Sequence, residues 1–313
     1  MELKWFEDFV TLARCLNFSR AASERHVTQS ALSRRIRLLE QRLGFPLVDR
    51  TTHPVGLTRE GLAFLPKARE ILSTLQRTRV ELGSIDDGQP CVINFAALNT
   101  LCLTFFPPWF AGLQQGHPAL QVRFCDPRPS FAGTVSTLIE GESDLMLTYA
   151  HPWVAPGDIL PRCPSVSLGV EWLVPVSRLD QAGRPLHPID AEGAIRYLGY
   201  RQGAFFAQLL VRLFERQPLE LVTVYENTMS SALKGMVMAG SGLAWLPESL
   251  VRTELDAGLL GLAGDAHWHQ KVEIRLYRSP RPLGRGIEQL WEEIVGGSAL
   301  PARKSSDHLL VRV

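Results

Sequence analysis

The stretch Asn17-Phe18-Ser19-Arg20-Ala21-Ala22, followed by Val27-Thr28-Gln29-Ser30-Ala31-Leu32-Ser33-Arg34-Arg35-Ile36, decides the N-terminal architecture of this 313-residue chain. Before it, Phe6, Phe9, Val10 and Ala13 recur at helical spacing from Leu3 and predict an amphipathic first helix. Asn17-Phe18-Ser19 interrupts that pattern, and Ser19 is the expected cap of a short second helix through Ala21, Ala22 and Arg25. His26-Val27 is a tight connection, after which Thr28 caps a third helix with Leu32, Ile36, Leu39 and Leu43 on its apolar side. Its other face carries Gln29, Ser30, Ser33, Arg34 and Arg37. Two short helices across a tight turn, the second rich in Gln, Ser and Arg, describe a helix-turn-helix. The small alanines of the second helix admit the third closely. The polar first turn of the third can then enter a major groove, where Gln and Arg pair with base edges.

Beyond Gly44, the run from Phe45 to Thr58 reads as two short strands around a Pro/Gly turn, a wing from which Arg50 or His53 reaches a flanking phosphate. Thr58 then caps a long helix with Leu62, Leu65, Leu72, Leu75 and Leu82 along one side and Pro66 inside, where a local kink is expected. An apolar stripe outside an already closed small domain predicts dimerisation, and two-fold symmetry suits a palindromic site on DNA. The polar, breaker-rich run from Gly83 to Pro90 is the expected hinge.

Charge is distributed in the same way. The whole chain has a net charge of +1, yet residues 1–60 carry +3, residues 61–90 are balanced and residues 91–313 carry −2. Between Arg25 and Arg42 five arginines face one acid, Glu40. A charge run alone is ordinarily a solvated helix face; in a helix-turn-helix it is a set of phosphate partners. The composition excludes wholesale disorder, and no uncharged apolar run approaches the ~20 residues that span a bilayer. The N-terminus carries no apolar signal core, and five cysteines without a C-x-x-C fit reduced thiols, so the expected location is the cytoplasm, with no membrane partner.

The two quoted motifs, together with Leu39-Glu40, Leu43-Gly44, Leu47-Val48-Asp49-Arg50 and Leu57-Thr58-Arg59-Glu60-Gly61, resemble the N-terminal signature of LysR-type transcriptional regulators over about 65 residues. Lys4-Trp5-Phe6, Asp8-Phe9 and Cys15-x-Asn17-Phe18-Ser19 are similar to the hypochlorite-responsive subgroup of that family. The resemblance implies a winged helix-turn-helix over 1–58, a linker and dimerisation helix over 59–87, and a two-lobed, periplasmic-binding-protein-like α/β effector domain over 88–297. Its first lobe would comprise 88–162 and 268–297 and its second 163–267, with the crossings near 161–168 and 264–268. Residues 298–313 are the expected flexible tail. Implied partners are double-stranded operator DNA, a small-molecule effector, further copies of the chain as a homodimer or homotetramer, and RNA polymerase. Ser19, Arg20, Thr28, Gln29, Ser30, Ser33, Arg34, Arg37, Arg50 and His53 are the expected DNA-binding residues.

The rest of the chain alternates strand-like runs (92–97, 120–125, 144–149, 171–176, 196–200, 219–225, 242–246, 272–277) with helical ones (101–115, 131–140, 204–216, 229–240, 247–257, 285–295). That alternation predicts an α/β domain with largely parallel sheets. Ligands in such folds bind beyond the carboxyl ends of strands. Four polar clusters occupy such positions: Leu98-Asn99-Thr100, Thr148-Tyr149, Tyr200-Arg201-Gln202 and Asn227-Thr228-Met229. From them Asn99, Thr100, Thr148, Arg201, Gln202, Asn227 and Thr228 are the expected effector residues, for a small organic anion with Arg201 as charge partner. Each cluster taken alone is also an ordinary helix cap. The hypochlorite resemblance adds Met229 as a possible site of oxidation, against ordinary helix packing.

His267-Trp268-His269, read as a strand, sets two imidazoles on one face, but no third ligand accompanies them and no metal or cofactor is expected. There is no G-x-S-x-G elbow and no other catalytic constellation, so enzyme activity is not expected. A solute-binding protein or an enzyme on the α/β part remain the alternatives from other classes. Retention on DNA at low salt, lost on deleting residues 1–60, separates the regulator from both.

Overall fold

The computed structural model describes residues 2–51, 54–83, 91–154 and 160–297 and divides into two compact units, one of residues 1–89 with 139–142 and one of the remainder. The N-terminal unit begins with α1 (Leu3–Cys15), α2 (Phe18–Glu24) and α3 (Gln29–Leu43). Their apolar faces converge in one core: Trp5, Phe6, Phe9 and Leu12 from α1, Ala21 and Ala22 from α2, Leu32, Ile36 and Leu39 from α3. Strands β1 (Val48–Asp49) and β2 (Gly56–Leu57) pair antiparallel, Val48 opposite Leu57, and α4 (Arg59–Gly83) follows with Pro66 inside it. Phe64 of α4 brings its ring within 6.0 Å of Phe6 and 5.6 Å of Phe9, so the long helix shares the core of the small domain. One glycine is obligatory there: a β-carbon at Gly61 would stand 2.0 Å from the Leu47 carbonyl oxygen.

The second unit opens with a βαβ arrangement. Strands β3 (Val92–Ala97), β4 (Gln121–Phe124) and β5 (Leu145–Ala150) are parallel, with β3 in the middle. Helices α5 (Asn99–Thr104), α6 (Phe106–Gly116) and α7 (Phe131–Glu140) form the crossovers. The chain then runs along β6 (Ser165–Arg178), a strand of 14 residues. A second parallel pair follows, β7 (Ile195–Tyr200) and β8 (Leu221–Asn227), connected through α8 (Phe205–Arg216). After α9 (Ser230–Met238), β9 (Ala244–Pro247), α10 (Glu248–Asp256) and β10 (Leu260–Leu262), the chain returns along β11 (Gln270–Arg278) and ends its described part with α11 (Arg285–Val295).

The largely parallel sheet expected from the alternation is corrected here. The main sheet has the order β10-β6-β11-β5-β3-β4, with β9 also on β6, and it is mixed. Strand β11 is antiparallel to both β5 and β6, and β6 is antiparallel to β9 and β10. The cause is connectivity: β6 leaves the first lobe and β11 re-enters it, so the two passages run side by side in opposite directions. Residues 266–268 form a single 3-10 turn, with the Asp265 carboxylate accepting from the His267 N–H, so the expected strand with two aligned imidazoles is not formed. The expected tail 298–313 and most of the expected hinge (84–90) lie outside the described residues.

Candidate DNA interface and effector cavity

Helix α3 starts as its sequence requires: Thr28 is extended, and its hydroxyl accepts from the Ala31 N–H at 3.2 Å. The cap of α2 is Asn17 instead of the expected Ser19. Asn17 holds the extended conformation, and its side-chain oxygen accepts from the Arg20 N–H at 3.0 Å. Ser19 is thereby released to donate to the Gln29 side-chain oxygen at 3.0 Å. That bond occupies the Gln29 acceptor and leaves the amide N–H groups at the first turn of α3 turned to other partners. The turn between α2 and α3 closes through His26, which adopts a left-handed φ of 52°, and the Val27 N–H donates back to the Ala22 carbonyl.

The arginines of this unit divide into two sets. Asp8, fully buried in α1, accepts from Arg25 at 2.9 Å and from Arg35 at 3.1 Å, and Arg25 also pairs with Glu7. Arg34 and Arg37 are exposed and make no ion pair among the described residues. Gln29 and Ser30 share their exposure, and Ser33 is half-buried beside them. Glu40, buried on the inner side of α3, accepts from the Leu47 and Val48 N–H groups at 2.9 and 3.1 Å and from Arg50 at 2.9 Å. Arg50 is thus tied to the root of the wing, its guanidinium 6.0 Å from the Phe18 ring, while its companion His53 lies outside the described residues. Arg20 is exposed and pairs loosely with Glu24 at 3.4 Å.

In the second unit a cavity of about 710 Å³ opens between the carboxyl ends of β3 and β5 on one side and those of β7 and β8 on the other. Its floor is a chain of buried hydroxyls: Thr100 donates to Ser230 at 2.9 Å, and Tyr200 and Ser230 are 2.8 Å apart. Thr100 starts α5, Ser230 starts α9 and Tyr200 ends β7, so the chain of hydroxyls ties together the two α/β halves. Tyr149, 1% exposed, stands beside it with its hydroxyl unpartnered among the described residues. Burial, then the nearby Glu171 and Tyr200, raises the Tyr149 pKa well above the ordinary tyrosine value. The walls are aromatic: Phe131 and Phe205 meet edge to face at 5.2 Å, and Phe206 lies 4.9 Å from Tyr149 and 5.3 Å from Tyr200. Asp126 and Arg128, one of each sign, are the charged residues of the lining. Cys102, also in the lining, has its thiol pushed up to about 11 by burial and stays protonated at neutral pH.

With both sites in view, comparison with known proteins is direct. Residues 3–62 match the model of the bacterial regulatory helix-turn-helix protein of the lysR family, and residues 88–298 match the LysR substrate binding domain. The chain belongs to the LysR family of transcriptional regulators. The HTH-type transcriptional regulator YjiE of Escherichia coli (strain K12) is 30% identical over 298 residues, 94% of either protein. Two solved structures match nearly end to end. Vibrio fischeri DarR in complex with DNA is 30% identical with a TM-score of 0.55, covering 94% of this chain and 98% of that one. Full-length HypT of Salmonella typhimurium, described as a hypochlorite-specific LysR-type transcriptional regulator, is 29% identical with a TM-score of 0.57, covering 96% and 99%. The architecture of this LysR-type regulator is accordingly an N-terminal winged helix-turn-helix, a long linker helix and a two-lobed α/β effector-binding domain.

Against that frame the expected effector residues of the LysR domain divide. Asn99, Thr100 and Thr228 line the cavity, as does Met229, the expected site of oxidation, but Thr148, Arg201, Gln202 and Asn227 do not. Thr148 is fully buried on the opposite face of β5 from Tyr149, because successive strand residues alternate. Arg201 and Gln202 are exposed in the turn that Gly203 closes with a φ of 90°, where the Arg201 N–H donates to the Asn227 carbonyl. Asn227 is occupied locally: its side-chain Oδ1 accepts from the Met229 N–H and its side-chain amide N–H donates to the Tyr225 hydroxyl. Tyr149, Tyr200 and Ser230 were passed over. Alternation within the strands would have selected the first two, but Ser230 has no signal beyond its place at a helix start.

Proposed function

We propose that this LysR-type regulator reads double-stranded operator DNA through Gln29, Ser30, Ser33, Arg34 and Arg37, with Thr28 and Ser19 fixing the first turn of α3 and Arg20 standing beside it. The exposed, unpaired row of Arg34 and Arg37 on a capped helix carries the reading. Arg50 and His53 would serve phosphates at the wing, and Arg50 would have to share its guanidinium with Glu40 to do so. On this reading residues 1–58 form the reader, 59–87 a dimerisation helix, and 88–162 with 268–297 and 163–267 the two lobes. The cavity at Thr100, Ser230 and Tyr200 is the effector site. A ligand that contacts both halves favours one of their relative positions, and in a homodimer or homotetramer that bias changes the spacing or bending of bound DNA. The protein then acts in the cytoplasm with RNA polymerase as a further partner and without enzymatic activity of its own.

The experiment starts from a duplex selected out of random sequence by the full-length protein. Arg34→Ala is expected to weaken binding to it by about 1–3 kcal/mol if Arg34 reads a base, and to flatten the salt dependence by about one phosphate if it clamps the backbone. Unchanged affinity together with an unchanged salt slope removes Arg34 from the interface.

A second reading rests on Met229, which is 43% exposed, lines the cavity and immediately precedes α9. Its thioether sulfur can take the oxygen of hypochlorous acid, releasing chloride and a proton, and become a polar sulfoxide at the mouth of the site. Under this reading a hypochlorite titration alters DNA affinity in the wild type and leaves Met229→Ala unaffected. Equal responses from the two proteins exclude it.

A further inference from the structure

The cavity holds a buried hydroxyl that donates to no acceptor among the described residues. Tyr149 is 1% exposed and lies in the lining, yet its hydroxyl finds no partner among the described residues. Buried phenols ordinarily find one, because leaving the group unsatisfied costs as much as the hydrogen bond it lacks. The hydroxyls nearest in function are already engaged: Thr100 and Tyr200 both meet Ser230. Nor is the Tyr149 ring free to turn aside, since Phe205 at 5.9 Å and Phe206 at 4.9 Å hold it. Burial keeps the phenol protonated, so it is a donor throughout the physiological range.

The lining of the cavity carries no net formal charge. The lining offers one acid and one base, Asp126 and Arg128. Arg201, the cation expected to receive an anionic effector, is not in the lining. Asp126 and Arg128 offset each other and the inner polar groups are hydroxyls, so an anion accepting from Tyr149 would lose its hydration without meeting an uncompensated cation. A neutral acceptor incurs no such loss. The surrounding Phe131, Phe205 and Phe206 rings favour a flat apolar body, and about 710 Å³ lies within the ~300–1,000 Å³ usual for small-molecule sites.

We propose that the cavity takes an uncharged planar aromatic molecule of one or two rings, bearing a carbonyl or similar neutral acceptor that receives the Tyr149 hydroxyl. The ligand class rests on the reading of this cavity as the effector site only for its regulatory meaning; binding itself is a separate property. Three probes of one shape separate the contributions: 2-naphthamide, 2-naphthoate and naphthalene, titrated calorimetrically into the full-length protein and its Tyr149→Phe variant. Phenylalanine keeps the ring in the wall and removes only the donor.

The amide is expected to bind at least roughly tenfold more tightly than the carboxylate, since the latter must desolvate a charge in a lining without net charge. Tyr149→Phe should weaken the amide by roughly fivefold, the worth of one net hydrogen bond, and leave naphthalene unchanged. A carboxylate that binds as tightly as the amide, an amide indifferent to Tyr149→Phe, or failure of all three to bind by about millimolar concentration each overturns the ligand class. Affinity for the selected duplex, measured with and without each probe, keeps the two readings apart. Amide binding that never changes DNA affinity refutes the effector reading and leaves the ligand class standing. A naphthoate response in DNA affinity that Tyr149→Phe does not alter refutes the class and leaves the effector reading standing.

Discussion

The two sites of this protein place polar chemistry in opposite ways. In the DNA-reading unit the ionised side chains form both the scaffold and the surface: Asp8 anchors Arg25 and Arg35 inside, Glu40 anchors the wing, and Arg34 and Arg37 are left outside. In the effector cavity the inner polar groups are hydroxyls and the walls are phenyl rings. A nucleic-acid surface needs fixed cations aimed at an anionic polymer, so buried carboxylates are used to hold arginines in register. A small-molecule cavity needs shape and a few oriented donors, and an uncompensated charge inside it would exclude most ligands. The same family of residues, arginine and carboxylate, is therefore structural in one unit and peripheral in the other.

This contrast can be broken experimentally, beginning with its strongest element. Asp8→Ala leaves two arginines, each about a quarter exposed, without their buried partner, and should cost about 3 kcal/mol, the low end for a broken buried pair. Hydrogen exchange at the α3 amides is expected to quicken by roughly two orders of magnitude, and unchanged exchange would refute the anchoring role. Glu40→Ala strips acceptors from the Leu47 and Val48 N–H groups and should cost about 2 kcal/mol, read as faster exchange at those two amides with α1 unaffected. On the other side of the comparison, Ser230→Ala leaves Thr100 and Tyr200 hydroxyls next to a cavity that water can enter. It should lower the stability of the effector-binding domain by only about 1 kcal/mol in urea titrations. A loss as large as that of Asp8→Ala would erase the distinction.

The smallest effect concerns pH. Burial raises the Glu171 pKa, against hydrogen bonds from Ser249 and the Trp172 N–H. The folded protein then holds this proton more tightly than the unfolded chain. The stabilisation is complete below the ordinary carboxylate range and is lost as pH climbs through the raised value. In Glu171→Gln, melting temperatures at about pH 4 and pH 8 should differ less than in the wild type, and an equal or wider gap would contradict the assigned direction.

The helix-turn-helix is legible because its signals are local. Thr28 caps one helix that holds Gln29 to Arg37, and a cap, a stripe and an exposed face are all local patterns. Even Asp8 left a trace, as an acid set among Trp5, Phe9 and Leu12 on the buried side of α1. What stayed hidden was its partner, since pairing 17 and 27 residues away depends on how helices pack. The cavity draws Thr100, Tyr149, Tyr200 and Ser230 from four separate elements, and only the fold brings them together. The general rule for strand ends points to its loops but does not say which way a residue points. Tyr149 lines the cavity where the neighbouring Thr148 does not, and Arg201 is exposed in its turn. Sheet direction was misjudged for a related reason: alternation of elements reports the βαβ repeats and is silent about two strands that cross between lobes.

The missing side chain at position 61 has a mechanical meaning. With the Leu47 carbonyl oxygen where a β-carbon would be, the backbone of α4 lies directly on the strand that Glu40 ties to the recognition helix. Helix α4 carries Phe64 into the same core, so it is joined to the reader at two places. The first turns of the long helix and the helix-turn-helix therefore turn as one piece, and the nearest joint at which the shaft can yield is Pro66, just beyond the second attachment.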